Sequence, residues 1–269
     1  MGLAGFPDGP LWLVGCGNMG GAMLRRWLAA GLDARRVTVV TRSGVGVPAE
    51  VRSVTALPMD EAPATLMLAV KPQQLDAVAP GLAGVRPSLL VSILAGVEEA
   101  ALASRISAGA IVRAMPNLPV AIGEGVTALY SSIDDPAACA AAAALAAPLG
   151  HVEWIAEEVL FDAVTALSGS GPGFVFRFVD ALGRAGAALG LPEDQARRLA
   201  IATVAGSSAM AMASDQSPAE LAERVASPGG STRKGLDVLD SGEALVRLLT
   251  ETLAASARRN AEMTADARG

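Results

Sequence analysis

Aromatic side chains are scarce in this chain, making up 3% of its 269 residues, whereas hydrophobic residues as a whole make up 52%. An interior of that kind is filled by Ala, Val, Leu and Ile, which suits helix-on-sheet and helix-on-helix packing with close backbone approach. Histidine is rarer still: the single one, His151, falls at an expected strand start away from every motif and reads as structural. The two cysteines, Cys16 and Cys139, lie far apart and neither has metal-ligand spacing, so neither a metal site nor a disulfide is expected. A basic surplus is also missing. With 21 Lys and Arg against 27 Asp and Glu the net charge is -6, which argues against nucleic acid as a partner while leaving room for a local site that takes a small anion. No apolar run of about 20 residues suggests a membrane span. The longest candidates, 137–147 and 199–213, are Ala-rich and stopped by Pro148 or by charges, and residues 1–10 carry no basic leader region. A soluble cytoplasmic enzyme of about two domains is the expectation.

What the chain does have is Leu11-Trp12-Leu13-Val14 running into Gly15-Cys16-Gly17-Asn18-Met19-Gly20 and then into apolar residues at helical spacing, Met19, Met23, Leu24, Trp27 and Leu28. This predicts strand, tight turn and helix. Gly15, Gly17 and Gly20 fit G-x-G-x-x-G, in which the first glycine allows the turn, the second lets backbone approach a pyrophosphate and the third packs helix on strand. Phosphates would sit on the helix N-terminus, where unpaired N–H groups and the helix dipole favour negative charge. A glycine-rich turn can also be only a turn; its position after a strand and before a helix favours nucleotide binding. The second strand, 36–41, ends in Thr41, Arg42 and Ser43 with no acid to take a ribose 2′-OH, which favours NADPH over NADH, although an Arg in a turn is often merely solvated.

Further strands are expected at 65–70, 88–93, 110–115, 125–130 and 151–155, with an Ala-rich helix at 136–149. This alternation is the doubly wound α/β pattern, in which ligands bind at the carboxyl ends of parallel strands. Val70, Lys71 and Pro72 should therefore border the cofactor, Lys71 being either a catalytic amine or a surface charge before a helix. From residue 157 onward only helical periodicity remains, so domains of 1–156 and 157–269 are expected. A short helix at 158–167 is followed by a break at Ser168-Gly169-Ser170-Gly171-Pro172, a helix at 173–189 ended by Gly190, and a third at 193–213 with Pro192 at its N1 position. The third is small or apolar on nearly every face, which points to burial in an interlocked homodimer. Ser227-Pro228-Gly229-Gly230 is then a loop before a helix opened by Ser231-Thr232; free N–H groups and hydroxyls there suit a carboxylate, and equally suit a plain N-cap.

Taken together, the glycine turn, Ala69-Val70-Lys71-Pro72, Ser92 with Gly96-Val97, Arg113-Ala114-Met115-Pro116-Asn117, Leu167-Ser168-Gly169-Ser170-Gly171-Pro172 and Ser227-Pro228-Gly229-Gly230-Ser231-Thr232 resemble the pyrroline-5-carboxylate reductases, in the family's order and over nearly the whole chain. The resemblance implies an N-terminal Rossmann domain, a helical C-terminal dimerisation domain, and a site between them that reduces the cyclic imine 1-pyrroline-5-carboxylate to L-proline with NADPH or NADH. It assigns Gly15, Cys16, Gly17, Asn18, Met19 and Gly20 to the pyrophosphate and Arg42 and Ser43 to the adenosine 2′-phosphate, with Thr41 beside them in the cofactor set. Ala69, Val70, Lys71 and Pro72, with Ala95, Gly96 and Asn117, complete the cofactor set. Ser227, Gly229 and the N–H groups of Gly230, Ser231 and Thr232 would hold the substrate carboxylate, and the catalytic Thr232 hydroxyl would face the ring nitrogen. A homodimer, or a higher homo-oligomer built from it, is implied as well.

Some positions depart from the family pattern: Gly173-Phe174 stands where Ala-Tyr is common, Leu221-Ala222-Glu223 lacks the basic residue often found after that leucine, and Arg233-Lys234 stands where many members are apolar. Asp215 occupies the place of an acid found near the site in some members. A 3-hydroxyacid dehydrogenase of the same architecture would need a catalytic Lys or His among the helices, where Lys234 is the single lysine. A non-catalytic nucleotide-sensing or lipid-surface protein of this fold would keep the glycine turn but have no need of Ser227–Thr232.

Overall fold

The computed structural model describes residues 6–58 and 61–268; the expected domain ends at 1–5 and 269 lie outside the described residues. Contacts divide the chain into two compact units, one containing residues up to 170 together with 256 onward, the other 171–255. The position 156/157 thus falls inside the first unit. The reason is local: Phe161 is buried in a small cluster with Met115 and Ala128, which ties the segment after 156 to the sheet.

The sheet of the first unit holds eight strands among the described residues: β1 (Leu11–Val14), β2 (Val37–Val40), β3 (Arg52–Val54), β4 (Thr65–Leu68), β5 (Leu89–Ser92), β6 (Ala110–Pro116), β7 (Gly125–Tyr130) and β8 (Gly150–Trp154), in the order β3-β2-β1-β4-β5-β6-β7-β8. Strands β1 to β6 are parallel, β7 runs antiparallel to β6, and β8 is parallel to β7. The reversal follows from connection length. Only a short 3-10 turn at Leu118–Ile122 joins β6 to β7, which suffices for a hairpin and not for a crossover. Strand β3 has no apolar run to announce it; it is a three-residue edge strand on β2.

Both sheet faces are covered, so strand residues alternate between two cores. Leu11 and Leu13 of β1 point to one face with Met23, Leu24 and Trp27 of α1 (Asn18–Ala29), while Trp12 and Val14 point to the other with Leu75 of α2 (Leu75–Val78) and Leu102 of α3 (Glu99–Ala103). The Trp27 indole N–H donates to Leu145 O at 2.7 Å, joining α1 to α4 (Pro136–Ala146) on that face. Helix α4 starts as its sequence requires: Asp135 accepts from the N–H groups of Ala137 and Ala138, and Pro136 fills the first turn. Near α5 (Phe161–Val164), buried Arg113 donates to Glu158 at 2.7 Å and lies 4.3 Å over the Phe161 ring. Burial, then Glu158 and Glu99, push the Tyr130 phenol above its ordinary pKa.

The expected break at 168–172 narrows to a single bend at Ser170. Residues Thr165–Gly169 form a π turn, with Ser170 N donating to Thr165 O at 2.8 Å, and α6 (Gly171–Ala188) continues directly from it. Glycines and a proline that would end an ordinary helix are here absorbed by a wider turn. The resulting helical run Glu158–Ala188 is by length and composition long and apolar enough to cross a bilayer, which the sequence reading, assuming a break, did not anticipate.

The second unit contains α6, α7 (Glu193–Met212), α8 (Pro218–Arg224), α9 (Ser231–Asp240) and the first part of α10 (Ala244–Arg268). Gly190, at φ +101°, ends α6 as expected, and Pro192 is the N-cap of α7, one position earlier than predicted. Gly183 lets the two helices approach: a Cβ there would stand 3.4 Å from the Arg197 Cα. Helix α7 is not enclosed by its own chain. Only Ala196 and Ala200 are buried on it, while Leu199, Ile201, Met210 and Met212 are exposed, as are Phe176 and Phe178 of α6.

Candidate functional site: a glycine-lined cavity and an uncapped helix start

The chain leaves β1 toward β2 on one side and returns to β4 on the other, so the carboxyl ends of β1 and β4 form the switch point of the sheet, where open α/β sheets bind ligands. Gly15 closes the turn there. Its N–H donates to Val40 O at 2.9 Å, its φ is +95°, and a Cβ on it would stand 2.6 Å from Ala69 O, so no other residue fits. Gly20 is the close-packing glycine, where a Cβ would meet Gly15 O at 2.9 Å and the Ala69 side chain at 3.0 Å. Gly17 differs from both. A Cβ on it would meet nothing within 4 Å, and it is the N-cap of α1 with no side-chain cap and no acid in the first turn. Asn18 is exposed in that turn and Met19 packs toward the core.

A cavity of about 800 Å³ opens at this point, lined among others by Gly15, Cys16, Gly17, Thr41, Arg42, Ser43, Ala69, Val70 and Lys71. Three sequence segments expected to act together are therefore on one wall system. Thr41 N is fixed by Val54 O at 3.0 Å, which leaves Arg42 and Ser43 exposed beyond the end of β2. Lys71 is exposed, its N–H held by the Gln74 side chain at 3.2 Å, and Pro72 begins the following 3-10 turn outside the lining. Burial raises the Cys16 thiol pKa, with Arg25 opposing it. The lining also includes Thr55, Ala56, Leu57 and Gln74, which the sequence reading missed. The first three follow the unanticipated strand β3; no apolar periodicity marks them. An open glycine, a free helix start, a basic side chain past β2 and no acid there fit a dinucleotide with a 2′-phosphate.

Ala95, Gly96 and Asn117 lie outside that lining. Gly96, at φ +73°, is backed by Thr264 of α10, whose Oγ1 would be 3.1 Å from an added Cβ, and Ala95 packs beside the Phe161 cluster. The Asn117 amide nitrogen donates to Ser168 O at 3.0 Å and its oxygen accepts from Val126 N at 2.8 Å. Both ends of that buried side chain are engaged with backbone.

In the second unit, α9 begins after a turn made by the residues expected there. Gly230 N donates to Ser227 O at 2.9 Å, Gly229 adopts φ +73°, and Gly230 is an N-cap without a side-chain cap. No acid lies in the first turn, and Lys234 N is the donor to Gly230 O at 3.2 Å, leaving the preceding N–H groups to the helix start. Ser227, Ser231 and Thr232 are exposed around it. Lys234 faces Asp237 of its own helix at 3.5 Å. His151 lies on edge strand β8 beside Glu153 at 3.0 Å, in neither place. Both cysteines are free thiols, and among the described residues no group of three or more His, Cys, Asp or Glu could hold a metal ion.

Residues 158–263 match the family model for pyrroline-5-carboxylate reductase dimerisation, and residues 11–96 match that for coenzyme F420-dependent NADP oxidoreductase. A pyrroline-5-carboxylate reductase of Pseudomonas aeruginosa is 35% identical, over 93% of this chain and 95% of the relative. The solved pyrroline-5-carboxylate reductase of Coxiella burnetii superposes with a TM-score of 0.86 at 30% identity, covering 95% of this chain and 98% of that one. The Plasmodium falciparum enzyme, solved with NADP bound, gives 0.82 at 25% identity, covering 97% of this chain and all of that one (100%). With its switch-point cavity, its helical second unit and similarity that runs nearly end to end, the chain belongs to the pyrroline-5-carboxylate reductase family.

Proposed function

We propose that this chain reduces 1-pyrroline-5-carboxylate to L-proline as a cytoplasmic homodimer that prefers NADPH to NADH. The observation that carries the reading is the start of α9: an uncapped, acid-free helix N-terminus behind a Ser-Pro-Gly-Gly turn, in the same chain as a dinucleotide-type cavity. Neither feature alone specifies an imine reductase; together they provide for both a carboxylate and a hydride donor.

Gly15 to Gly20 receive the pyrophosphate on the α1 N-terminus, Arg42 and Ser43 receive the 2′-phosphate, and Ala69, Val70 and Lys71 border the nicotinamide. NADPH bound there supplies the hydride. Ser227, Gly229 and the N–H groups of Gly230, Ser231 and Thr232 hold the substrate carboxylate. The Thr232 hydroxyl accepts a hydrogen bond from the protonated ring nitrogen. As hydride reaches the imine carbon, the C=N π pair moves onto a nitrogen that already carries its proton, so no general base is needed. A neutral hydroxyl suits this task because it orients the iminium without removing that proton.

The exposed apolar residues of α6 and α7 are the subunit interface, which gives the small-residue surface of α7 the enclosure its own chain does not provide. The same interface takes up the apolar face of the Glu158–Ala188 run. Arg177, Asp180 and Arg184 along it would be costly in a bilayer. The test is direct: the protein is mixed with NADPH and 1-pyrroline-5-carboxylate and the loss of nicotinamide absorbance is followed while L-proline is identified by mass. Turnover to L-proline supports the proposal; NADPH binding without turnover contradicts it.

A further inference from the structure

Helix α8 ends at Arg224 and α9 begins at Ser231, and the intervening turn contains Pro228, Gly229 and Gly230. Within it one backbone bond lies at each end, Ala226 N to Glu223 O at 3.1 Å and Gly230 N to Ser227 O at 2.9 Å. Those bonds are local to each end, and the two adjacent glycines between the helices leave the backbone permissive. A side-chain pair spans the turn. Arg233 Nη2 donates to Glu223 Oε1 at 2.7 Å, joining the last turn of α8 to the first turn of α9 across the residues assigned to the substrate carboxylate.

We propose that the Glu223–Arg233 ion pair is a clamp that positions the Ser227–Thr232 turn for the carboxylate of the imine, so that both are positioning residues for the reaction proposed above, on which this inference rests. The surroundings make Glu223 the cross-turn partner. Arg224 beside it is engaged with Gln216, and Lys234 beside Arg233 faces Asp237 on its own helix. The Arg233 side chain is 25% exposed and that of Glu223 68%, so the pair is half in solvent and its expected effect is modest. Glu223, followed by the more distant Asp237 and Asp240, raises the Arg233 pKa. A cation in the first turn of a helix is opposed by the helix dipole, and an acid held against it offsets that cost.

A competing role for Arg233 is simple attraction of the substrate carboxylate. The two roles differ in sign when Glu223 is neutralised. Freed from its acid, an attracting Arg233 would lower the substrate KM, whereas an unclamped turn raises it.

The experiment compares wild type, Glu223→Gln, Arg233→Met and the double variant, reading the KM for 1-pyrroline-5-carboxylate and amide hydrogen exchange over residues 226–232. The clamp predicts a KM raised about threefold in each single variant and no further in the double, with kcat changed less than about twofold, and faster exchange in the turn in all three. A lower KM in Glu223→Gln, additive effects in the double variant, or unchanged exchange in the turn overturns the proposal. Hydrogen exchange does not depend on turnover. If the wild type fails to reduce the imine while exchange responds as stated, the ion pair still orders the turn, and it is the reaction, and with it the positioning role, that falls.

Discussion

The Asn117 side-chain amide donates to the carbonyl oxygen of Ser168 at 3.0 Å, and that carbonyl lacks its ordinary α-helical donor because residue 172 is a proline. A strand end thus supplies what the helix cannot, and the π turn at Thr165–Gly169 is held against the β6–β7 hairpin. Asn117→Ala should lower stability by about 2 kcal/mol in chemical denaturation, since it removes two bonds made by a buried side chain. Measured in a Pro172→Ala background, which restores an N–H four residues after Ser168, the same substitution should cost about 1 kcal/mol less. Equal costs in the two backgrounds would mean that the proline and the asparagine are not partners.

The three glycines of the first turn should separate into folding and binding roles. Gly15→Ala imposes a side chain at φ +95° and 2.6 Å from Ala69 O, and should cost at least about 3 kcal/mol of stability. Gly17→Ala meets open space and a negative φ, so thermal denaturation should match wild type within about 0.5 kcal/mol while NADPH affinity falls about tenfold or more, read by fluorescence titration. An unaltered affinity in Gly17→Ala would remove the pyrophosphate from this helix start.

Arg42 is assigned to the cofactor's 2′-phosphate and is exposed beyond β2. Arg42→Ala should raise the KM for NADPH about tenfold, equivalent to about 1.4 kcal/mol, and leave that for NADH within about twofold. A parallel rise for both cofactors would place Arg42 on a group they share.

Legibility in the sequence followed the physics of each signal. The strand, turn and helix of residues 11–29 were plain because an apolar run, three spaced glycines and helical spacing agree. Strand β3 was hidden: Arg52 and Ser53 are exposed, and pairing with β2 makes it a strand, which composition cannot report. With it went Thr55, Ala56 and Leu57 of the cavity wall. Residues 168–172 misled for the opposite reason, since Gly and Pro signal a break only where no distant group, here Asn117, satisfies the backbone they disturb. The return of residues 256–268 to the first unit, seen in the Ser170–Ser256 hydroxyl contact at 3.0 Å and in Thr264 behind Gly96, depends wholly on long-range packing.

The most direct measurement is the steady-state rate of NADPH oxidation with 1-pyrroline-5-carboxylate for wild type, Thr232→Ser and Thr232→Ala. If the Thr232 hydroxyl orients the protonated ring nitrogen, Thr232→Ser retains kcat/KM within about fivefold and Thr232→Ala loses about 30-fold or more, close to 2 kcal/mol, with NADPH affinity unchanged in both. Undiminished turnover in Thr232→Ala would contradict the placement of the reacting nitrogen at α9.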